Sequence, residues 1–411
     1  MNKKYLVILT GLFLLRFVNI NQSFWLDEAI TAQKTKTLGF VELVTKYSVA
    51  DFHPPLHYFV VKIFGDLLGY SELSVRLPSI IACFFAAFFI YKMAGRWASL
   101  LFLANPLIFY YSQEGRMYML ACAFLLATWY GVSRNKWWAN IFAALSIFTF
   151  YGSGFFLLAL FFVYKKQRRL FLPGAIIALT ILFPLLSKQV ANSQIALDQV
   201  GNWSLVLGKV EFKNLVLIPL KFFTGRVSFY PKALYFIIGG IWSFGLFFLA
   251  FWKSKKTLIV VPLLIALIIS FWAPMLQYFR YIYLIPVLCI GLARYGHKLR
   301  SIALLGSLVW CLVYVGDINT WREDWKGFSQ KIEKGSAIIL PMNFADPISF
   351  YRPNLQIIDI QTISTLPVVY STPYGMDIMG IKYASKMEGM GYKKIQEYSF
   401  RGIQLDEWKK N

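Results

Sequence analysis

Ionisable residues gather at three places where they could do chemistry. Asp27-Glu28 opens the first polar stretch, which continues through Asp51-Phe52-His53-Pro54-Pro55 and His57 and closes at Arg76. Gln113-Glu114-Gly115-Arg116 interrupts a long apolar region, and Arg280 does the same within Gln277-Tyr278-Phe279-Arg280-Tyr281. A carboxylate fixed at a surface can act as general base on a hydroxyl. Arginine, permanently charged and fork-shaped, suits a phosphate. Pro54-Pro55 blocks one helix and starts another, which holds His53 at a helix entry. Each group also has a plainer reading. Asp27-Glu28 can simply begin a hydrophilic loop, His53 can cap at the interface, Arg116 can pair with Glu114, and Arg280 can snorkel to a lipid phosphate.

The elements that hold these residues are set by composition. The chain has 411 residues, 58% apolar, 18% aromatic and 15% charged. Soluble domains carry about 25% charged residues, so a single water-soluble globule is excluded. Leu170–Ser187, Ala233–Trp252 and Thr257–Phe279 contain no Asp, Glu, Lys or Arg, and about 20 such residues cross a bilayer. Tyr5–Ile20 follows Lys3-Lys4 without a small-residue cleavage site, which predicts a retained helix rather than a signal peptide. Cys83, Cys122, Cys289 and Cys311 all lie in apolar runs with no C-x-x-C, against both a disulfide framework and a cysteine metal site.

The net charge of +22 has a pattern. Lys3/Lys4, Lys92/Arg96, Arg134/Lys136, Lys165/Lys166/Arg168/Arg169, Lys253/Lys255/Lys256 and Arg294/Lys298/Arg300 form six clusters free of acidic residues between apolar runs. Cytoplasmic loops have this character, so the excess is a topology signal and not a nucleic-acid footprint. Placing the clusters inside gives eleven spans: 5–20, 77–93, 97–111, 117–132, 137–150, 154–164, 170–187, 233–252, 257–273, 281–293 and 301–316. All 20 acidic residues then fall outside, with the amino terminus cytoplasmic. The 28 uncharged residues at 137–164 are read as a short hairpin turning at Tyr151-Gly152-Ser153-Gly154.

Three segments are external on this scheme: the loop 21–76, an amphipathic excursion at 188–232, and the tail 317–411. The tail carries 12 basic and 11 acidic residues, and its apolar runs Ala337–Leu340, Gln356–Ile360 and Pro367–Tyr370 predict a small α/β unit. The expected architecture is an all-α polytopic membrane protein with about 11 transmembrane helices. Residues 1–316 form the membrane domain, with its active loop at 21–76, and 317–411 a small external α/β domain.

In order along the chain come Asp27-Glu28, His53-Pro54-Pro55-Leu56, Ser71-Glu72-Leu73-Ser74-Val75-Arg76-Leu77-Pro78-Ser79, Tyr111-Ser112-Gln113-Glu114-Gly115-Arg116-Met117-Tyr118, Phe279-Arg280-Tyr281 with Pro286, and Arg322-Glu323-Asp324-Trp325-Lys326. Over about residues 1–330 this resembles the polytopic membrane glycosyltransferases of the C-type (GT-C) fold, similar to protein O-mannosyltransferases and lipid A aminoarabinose transferases. The resemblance implies a polyprenyl-phosphate sugar donor entering from the bilayer, and a single inverting displacement at the external face. It places the catalytic aspartate at Asp27, with Glu28 beside it. Arg116, Arg280 and Arg76 are then the donor phosphate-binding candidates, while Asp51, His53, His57 and Glu114 position the acceptor or the loop. Many relatives carry a His where this chain reads Thr149-Phe150-Tyr151.

The acceptor is a lipid, a protein or a polysaccharide at the plasma (inner) membrane, and no nucleic acid is involved. No cofactor is required, and a divalent metal is compatible but not indicated. No Gly-rich phosphate loop or Asp-x-Asp motif stands in a cytoplasmic segment, which disfavours a nucleotide-sugar donor. The alternative, a lipid-sugar flippase or transporter, calls for ionisable residues buried mid-span, and apart from Arg16 the spans lack them. Glu28→Gln is expected to be milder than Asp27→Asn if Glu28 only orients the loop. The topology has a direct test. Cysteine placed at Ser336 should react with a membrane-impermeant thiol reagent in intact cells and cysteine at Gln167 should not; the reverse pattern would overturn the arrangement.

Overall fold

The computed structural model describes residues 3–200, 202, 206–333, 335–362, 364 and 366–411. The parts of the expected external segments at 201, 203–205, 334, 363 and 365 lie outside the described residues. The chain is mostly helical and carries one five-stranded sheet at its carboxyl end.

Each expected apolar run contains helix, but length separates them. Four helices, Glu72–Leu103, Leu172–Ser193, Lys232–Lys253 and His297–Gly316, are long and apolar enough to cross a membrane. The others, such as Tyr5–Leu15, Ala139–Thr149 and Ser153–Val163, are apolar but shorter. Eleven crossings are therefore not established by helix length. The hairpin at 137–164 does form, as two helices of 11 residues each. At 1.5 Å per residue each is about 16 Å long, roughly half the hydrocarbon thickness. The long helices Leu172–Ser193 and Lys232–Lys253 turn apolar side chains outward, among them Ile181, Phe183, Ile241 and Phe248. A broad apolar surface of this kind belongs in lipid.

Glu72–Leu103 is not one rod. At Gly95 the backbone takes φ 78° and ψ −174°, outside the helical region. Beyond it, the Ser99 hydroxyl donates to the Ala87 carbonyl at 3.1 Å. Twelve residues of straight helix would hold those groups about 18 Å apart. Residues 72–94 and 96–103 are thus folded against each other, matching the expected division between the spans 77–93 and 97–111. The helix at Phe212–Thr224 supplies the amphipathic element expected within 188–232, burying Ile218, Leu220 and Phe222 while exposing Phe212.

The tail folds as the sequence suggests, with additions. β1 (Ala337–Leu340), β2 (Gln356–Asp359) and β3 (Val368–Ser371) coincide with the three apolar runs and are mutually parallel, β1 lying between the other two. All four β1 residues are buried because both faces of a central parallel strand are covered. Ile338 and Leu340 face one apolar cluster with Trp325 and Phe328; Ile339 faces another with Met376, Met387 and Trp408. An antiparallel hairpin, β4 (Tyr392–Phe400) and β5 (Ile403–Lys410), completes the sheet in the order β2-β1-β3-β5-β4. Sequence reading missed it because its apolar residues alternate with Lys393, Lys394, Glu397 and Glu407 instead of forming a run.

The sheet unit is docked on the first polar loop. Lys34 pairs with Asp346 at 2.9 Å, and the Phe24 amide donates to the Tyr351 hydroxyl at 2.9 Å. Tyr351 in turn donates to Glu72 at 3.1 Å, and Lys326 reaches the same carboxylate at 3.3 Å. Phe24 packs edge-on against Phe350, with centroids 5.2 Å apart. A backbone turn that only glycine tolerates links the first helical pair, and a Cβ at Gly95 would meet nothing within 4 Å. Gly95→Ala should therefore cost about 1–3 kcal/mol through backbone strain alone, read as a lower thermal midpoint in detergent. An unchanged midpoint would show that the turn does not constrain the fold.

Candidate active site

The site is built around the helix Leu26–Thr37, whose first turn carries Asp27 and Glu28. Neighbouring residues on a helix point in different directions, and these two diverge sharply. The Glu28 side chain is 0% exposed, whereas Asp27 is 38% exposed.

Glu28 lies in a buried ion cluster. Arg76 donates to it twice, Nε to Oε1 at 2.9 Å and Nη2 to Oε2 at 2.7 Å. The Gly115 amide donates to Oε1 at 2.7 Å, and Arg322 Nε stands 3.2 Å from Oε2. Burial pushes the Glu28 carboxyl up, but Arg76, Arg322 and the Gly115 amide outweigh it and hold the group below its ordinary value of 4.5. Gly115 must be glycine for this approach: a Cβ there would come within 2.6 Å of Val75 Cγ1 and 3.3 Å of the Val75 carbonyl.

Two expectations change here. Arg76, expected at the donor phosphate, is fully buried and spends its guanidinium on Glu28 and on the carbonyls of Ile20, Gln22 and Ser23. No N–H remains to meet a ligand. Glu28, expected beside Asp27 in catalysis, has no open face and is held wholly within the ion cluster.

Asp27 faces a different set of groups. Arg116 Nη2 lies 3.7 Å from its Oδ2, and Arg116 Nη1 donates to the Thr31 hydroxyl, one turn along the same helix, at 3.1 Å. Although part of its side chain reaches solvent, partial desolvation raises the Asp27 carboxyl above its ordinary value of 3.8, with Arg116 and His53 opposing the effect and Asp51 and Glu28 adding to it. Asp51 is the opposite case. Burial would raise it, yet Arg116, His53 and Tyr58 bring it down to about 2. His53 Nδ1 lies 2.9 Å from Asp51 Oδ2, and the Tyr58 hydroxyl donates to the same oxygen. Phe52 takes a left-handed conformation (φ 60°) between Asp51 and His53, so that the ring folds back on the carboxylate. Such a conformation is costly for a bulky residue and recurs at functional sites.

His57 serves the frame: its Nε2 lies 3.0 Å from the Gly115 carbonyl. Burial, against the Gly115 bond and with help from Arg116 and His53, lowers it to about 3, so it is neutral. Glu114 is 1% exposed, with Oε2 3.8 Å from Arg322 Nη2 and no hydrogen bond to either oxygen among the described residues. Burial, only partly offset by Arg322, raises it to about 8. Arg280 is half-buried, donates to the Pro274 carbonyl at 3.1 Å, and shares its electrostatic influence on Tyr118 with Arg116.

The structure thus brings Asp27, Asp51, His53 and Arg116 together, sets Glu28, Arg76, His57 and Glu114 behind them, and leaves Arg280 beside Tyr118. Two arginines were missed. The Arg322 guanidinium is wholly buried, donating to the Gln113 carbonyl at 2.9 Å and stacking 4.4 Å from the Tyr110 ring. Arg226 donates to the Tyr278 hydroxyl at 2.8 Å and lies 5.3 Å from the Tyr110 ring, its charge felt by Glu114. Arg322 had a signal, the Arg-Glu-Asp-Trp run; Arg226 follows Gly225 with none. Among the described residues no group of three or more His, Cys, Asp or Glu side chains is placed to hold a metal ion.

No protein-family model and no curated protein sequence matches the chain. Solved structures do. ArnT from Cupriavidus metallidurans in the apo state superposes with a TM-score of 0.57 at 12% identity, covering 98% of this chain and 97% of that one. The same protein bound to undecaprenyl phosphate gives 0.54 at 12% identity over the same shares. An Archaeoglobus fulgidus oligosaccharyltransferase tethered to an acceptor peptide gives 0.48 at 11% identity, over 96% of this chain and 73% of that one. The chain has the GT-C fold, as its sequence motifs imply.

Removing one partner from a buried ion pair typically costs about 3–5 kcal/mol. Glu28→Gln should lower the stability of the detergent-solubilised protein by about that much at pH 7, seen in thermal unfolding. Because folding lowers the Glu28 pKa, its contribution is complete above the ordinary value of 4.5 and is lost as pH falls through the lowered folded value. The variant and the wild type should accordingly converge in acid. A midpoint unchanged at pH 7 would remove Glu28 from the frame.

Proposed function

We propose that this chain is an inverting membrane glycosyltransferase that moves a sugar from a polyprenyl-phosphate donor to an acceptor hydroxyl at the external membrane face. Asp27 is the general base. The observation that carries the proposal is the contrast within one cluster: Asp27 is accessible, raised in proton affinity and 3.7 Å from Arg116, while Asp51 is held ionised at about 2. Neighbouring carboxylates whose environments push their pKa values apart are the mark of divided acid–base roles. The GT-C fold shared with ArnT, one of whose structures holds undecaprenyl phosphate, supports a lipid-phosphate donor.

The reaction follows from these positions. The acceptor oxygen attacks the anomeric carbon from the face opposite the phosphate and gives its proton to the Asp27 carboxylate. The bond from the anomeric carbon to the phosphate oxygen breaks with its electron pair, and the lipid phosphate departs carrying added negative charge. On this reading Arg116 and Arg280 stabilise that developing charge, with Arg226 as a third cation. The Asp51–His53 pair keeps Arg116 between two carboxylates and fixes its direction. No cofactor enters these steps. On this reading all eleven apolar segments are embedded in the inner membrane, the shorter ones at a cavity reached by the donor, with 1–316 as the membrane transferase and 317–411 as the external unit.

The test is transfer of labelled sugar from a polyprenyl-phosphate donor to acceptor in proteoliposomes, in single turnover. Asp27→Asn should lower the rate by about 10²–10⁴-fold, the usual loss on removing a general base, while donor binding and folding persist. Wild-type transfer by this variant would remove Asp27 from the mechanism. Label that changes leaflet but stays on the lipid would favour a flippase.

A further inference from the structure

The helix that carries Asp27 begins badly on its own. Its N-cap position is Trp25, which makes no side-chain capping bond, so the first amides have no local acceptor. One of them is satisfied from far away. The Leu26 amide donates to Oε2 of Glu323 at 3.2 Å, across 297 residues of sequence.

Glu323 is itself held firmly. Trp325 Nε1 donates to the same Oε2 at 2.9 Å, and the Tyr374 hydroxyl donates to Oε1 at 2.7 Å. Trp325 is fully buried, and Tyr374 packs edge-on against both Trp325 and Phe344 with centroids 5.2 and 5.7 Å away. The backbone on either side of Glu323 is tied to the β4–β5 turn. Arg401 Nε donates to the Arg322 carbonyl, and the Asp324 amide donates to the Arg401 carbonyl at 2.9 Å. Gly402 lies against Glu323, where an added Cβ would sit 3.1 Å from its Cγ. A carboxylate at a helix amino terminus also meets the positive end of the helix dipole.

We infer that Glu323 is a positioning residue for Asp27, capping from the external tail the helix turn that presents this carboxylate. Arg322, the residue before it, grips Glu28 in the same turn, so the tail holds the turn on both sides of Asp27. Glu323 also contributes charge. The charged and titratable groups that face Asp27 are Arg116, Asp51, His53 and Glu28, with Tyr47, Tyr118 and Tyr374 around them and Glu323 from the tail. The Asp27 charge adds to the raised proton affinity of Glu323, and repulsion between like charges acts in both directions. The consequence for turnover rests on Asp27 being the base; the placement of Asp27 does not, and it can be tested without substrate.

Asp27 is open enough to be modified in the intact protein. The full-length chain in nanodiscs is treated with a water-soluble carbodiimide and an amine nucleophile across a pH series, and modification of Asp27 is followed by peptide mass spectrometry. Glu323→Gln keeps an oxygen for the Leu26 amide and the Trp325 indole but removes the charge. It should shift the Asp27 midpoint to lower pH by roughly a few tenths of a unit. Glu323→Ala also removes the cap, and amides 26–29 should exchange hydrogen at least several-fold faster than in wild type. Glu397→Gln, on the exposed face of β4, is the control and should change neither readout. An unmoved midpoint in Glu323→Gln together with unchanged exchange in Glu323→Ala would overturn the inference. Because neither readout involves sugar transfer, these results stand apart from the outcome of the transfer assay.

Discussion

The arrangement depends on neutralising one buried carboxylate. Glu28 has no water to turn to, and an ionised group in that position is tolerable only if it is paired and hydrogen-bonded. Its partners come from the start of the Glu72–Leu103 helix, from the turn at Gly115 and from the tail at Arg322. Four distant parts of the chain are thereby fixed relative to one another. Everything that defines the site is hung on them: Asp27 precedes Glu28, Arg116 follows Gly115, and Glu323 follows Arg322.

The same cluster carries charge consequences. Two arginines, Arg76 and Arg322, surround one ionised carboxylate, because Glu114, raised to about 8, is mostly protonated at neutral pH. The frame behind the site therefore holds an excess of positive charge, which adds to that of Arg116, Arg280 and Arg226 in front. A phosphate arriving from the bilayer would meet a field assembled before it binds, the condition under which fixed charges stabilise a transition state best. The two aspartates differ by surroundings rather than residue type: Asp51 is locked by His53 and Tyr58, and in the proposed reaction Asp27 is the one that exchanges a proton.

Much of this was legible in the sequence, and the limits have physical causes. Long apolar runs reveal helices, since composition alone decides them. The tail strands β1, β2 and β3 were visible because parallel strands covered on both faces are continuously apolar, whereas the half-exposed β4 and β5 were not. Asp27, Asp51, His53 and Arg116 were named as site candidates from separate motifs, and only the fold brings them together. The separate fates of Asp27 and Glu28 were hidden: adjacent carboxylates look alike until the helix sets which one turns inward. Arg76 looked like a ligand-binding arginine for the same reason, because only the fold shows that all its donors are already used. Arg322 and Glu323 lay too far along the chain to be linked to a loop at residue 26 by spacing.

That long-range link also has a bearing on biosynthesis. The chain emerges from its amino terminus, and the groups that complete the first loop are the last of the cluster to be made. At about 5–20 residues per second, the 297 residues between Leu26 and Glu323 take roughly 15–60 s to synthesise. Throughout that interval Glu28 lacks Arg322, and the helix bearing Asp27 begins without its distant acceptor. The loop acquires its last partners only when the tail arrives. A truncated or stalled product therefore has its full set of early helices but lacks the contacts of Arg322 and Glu323 with the first loop.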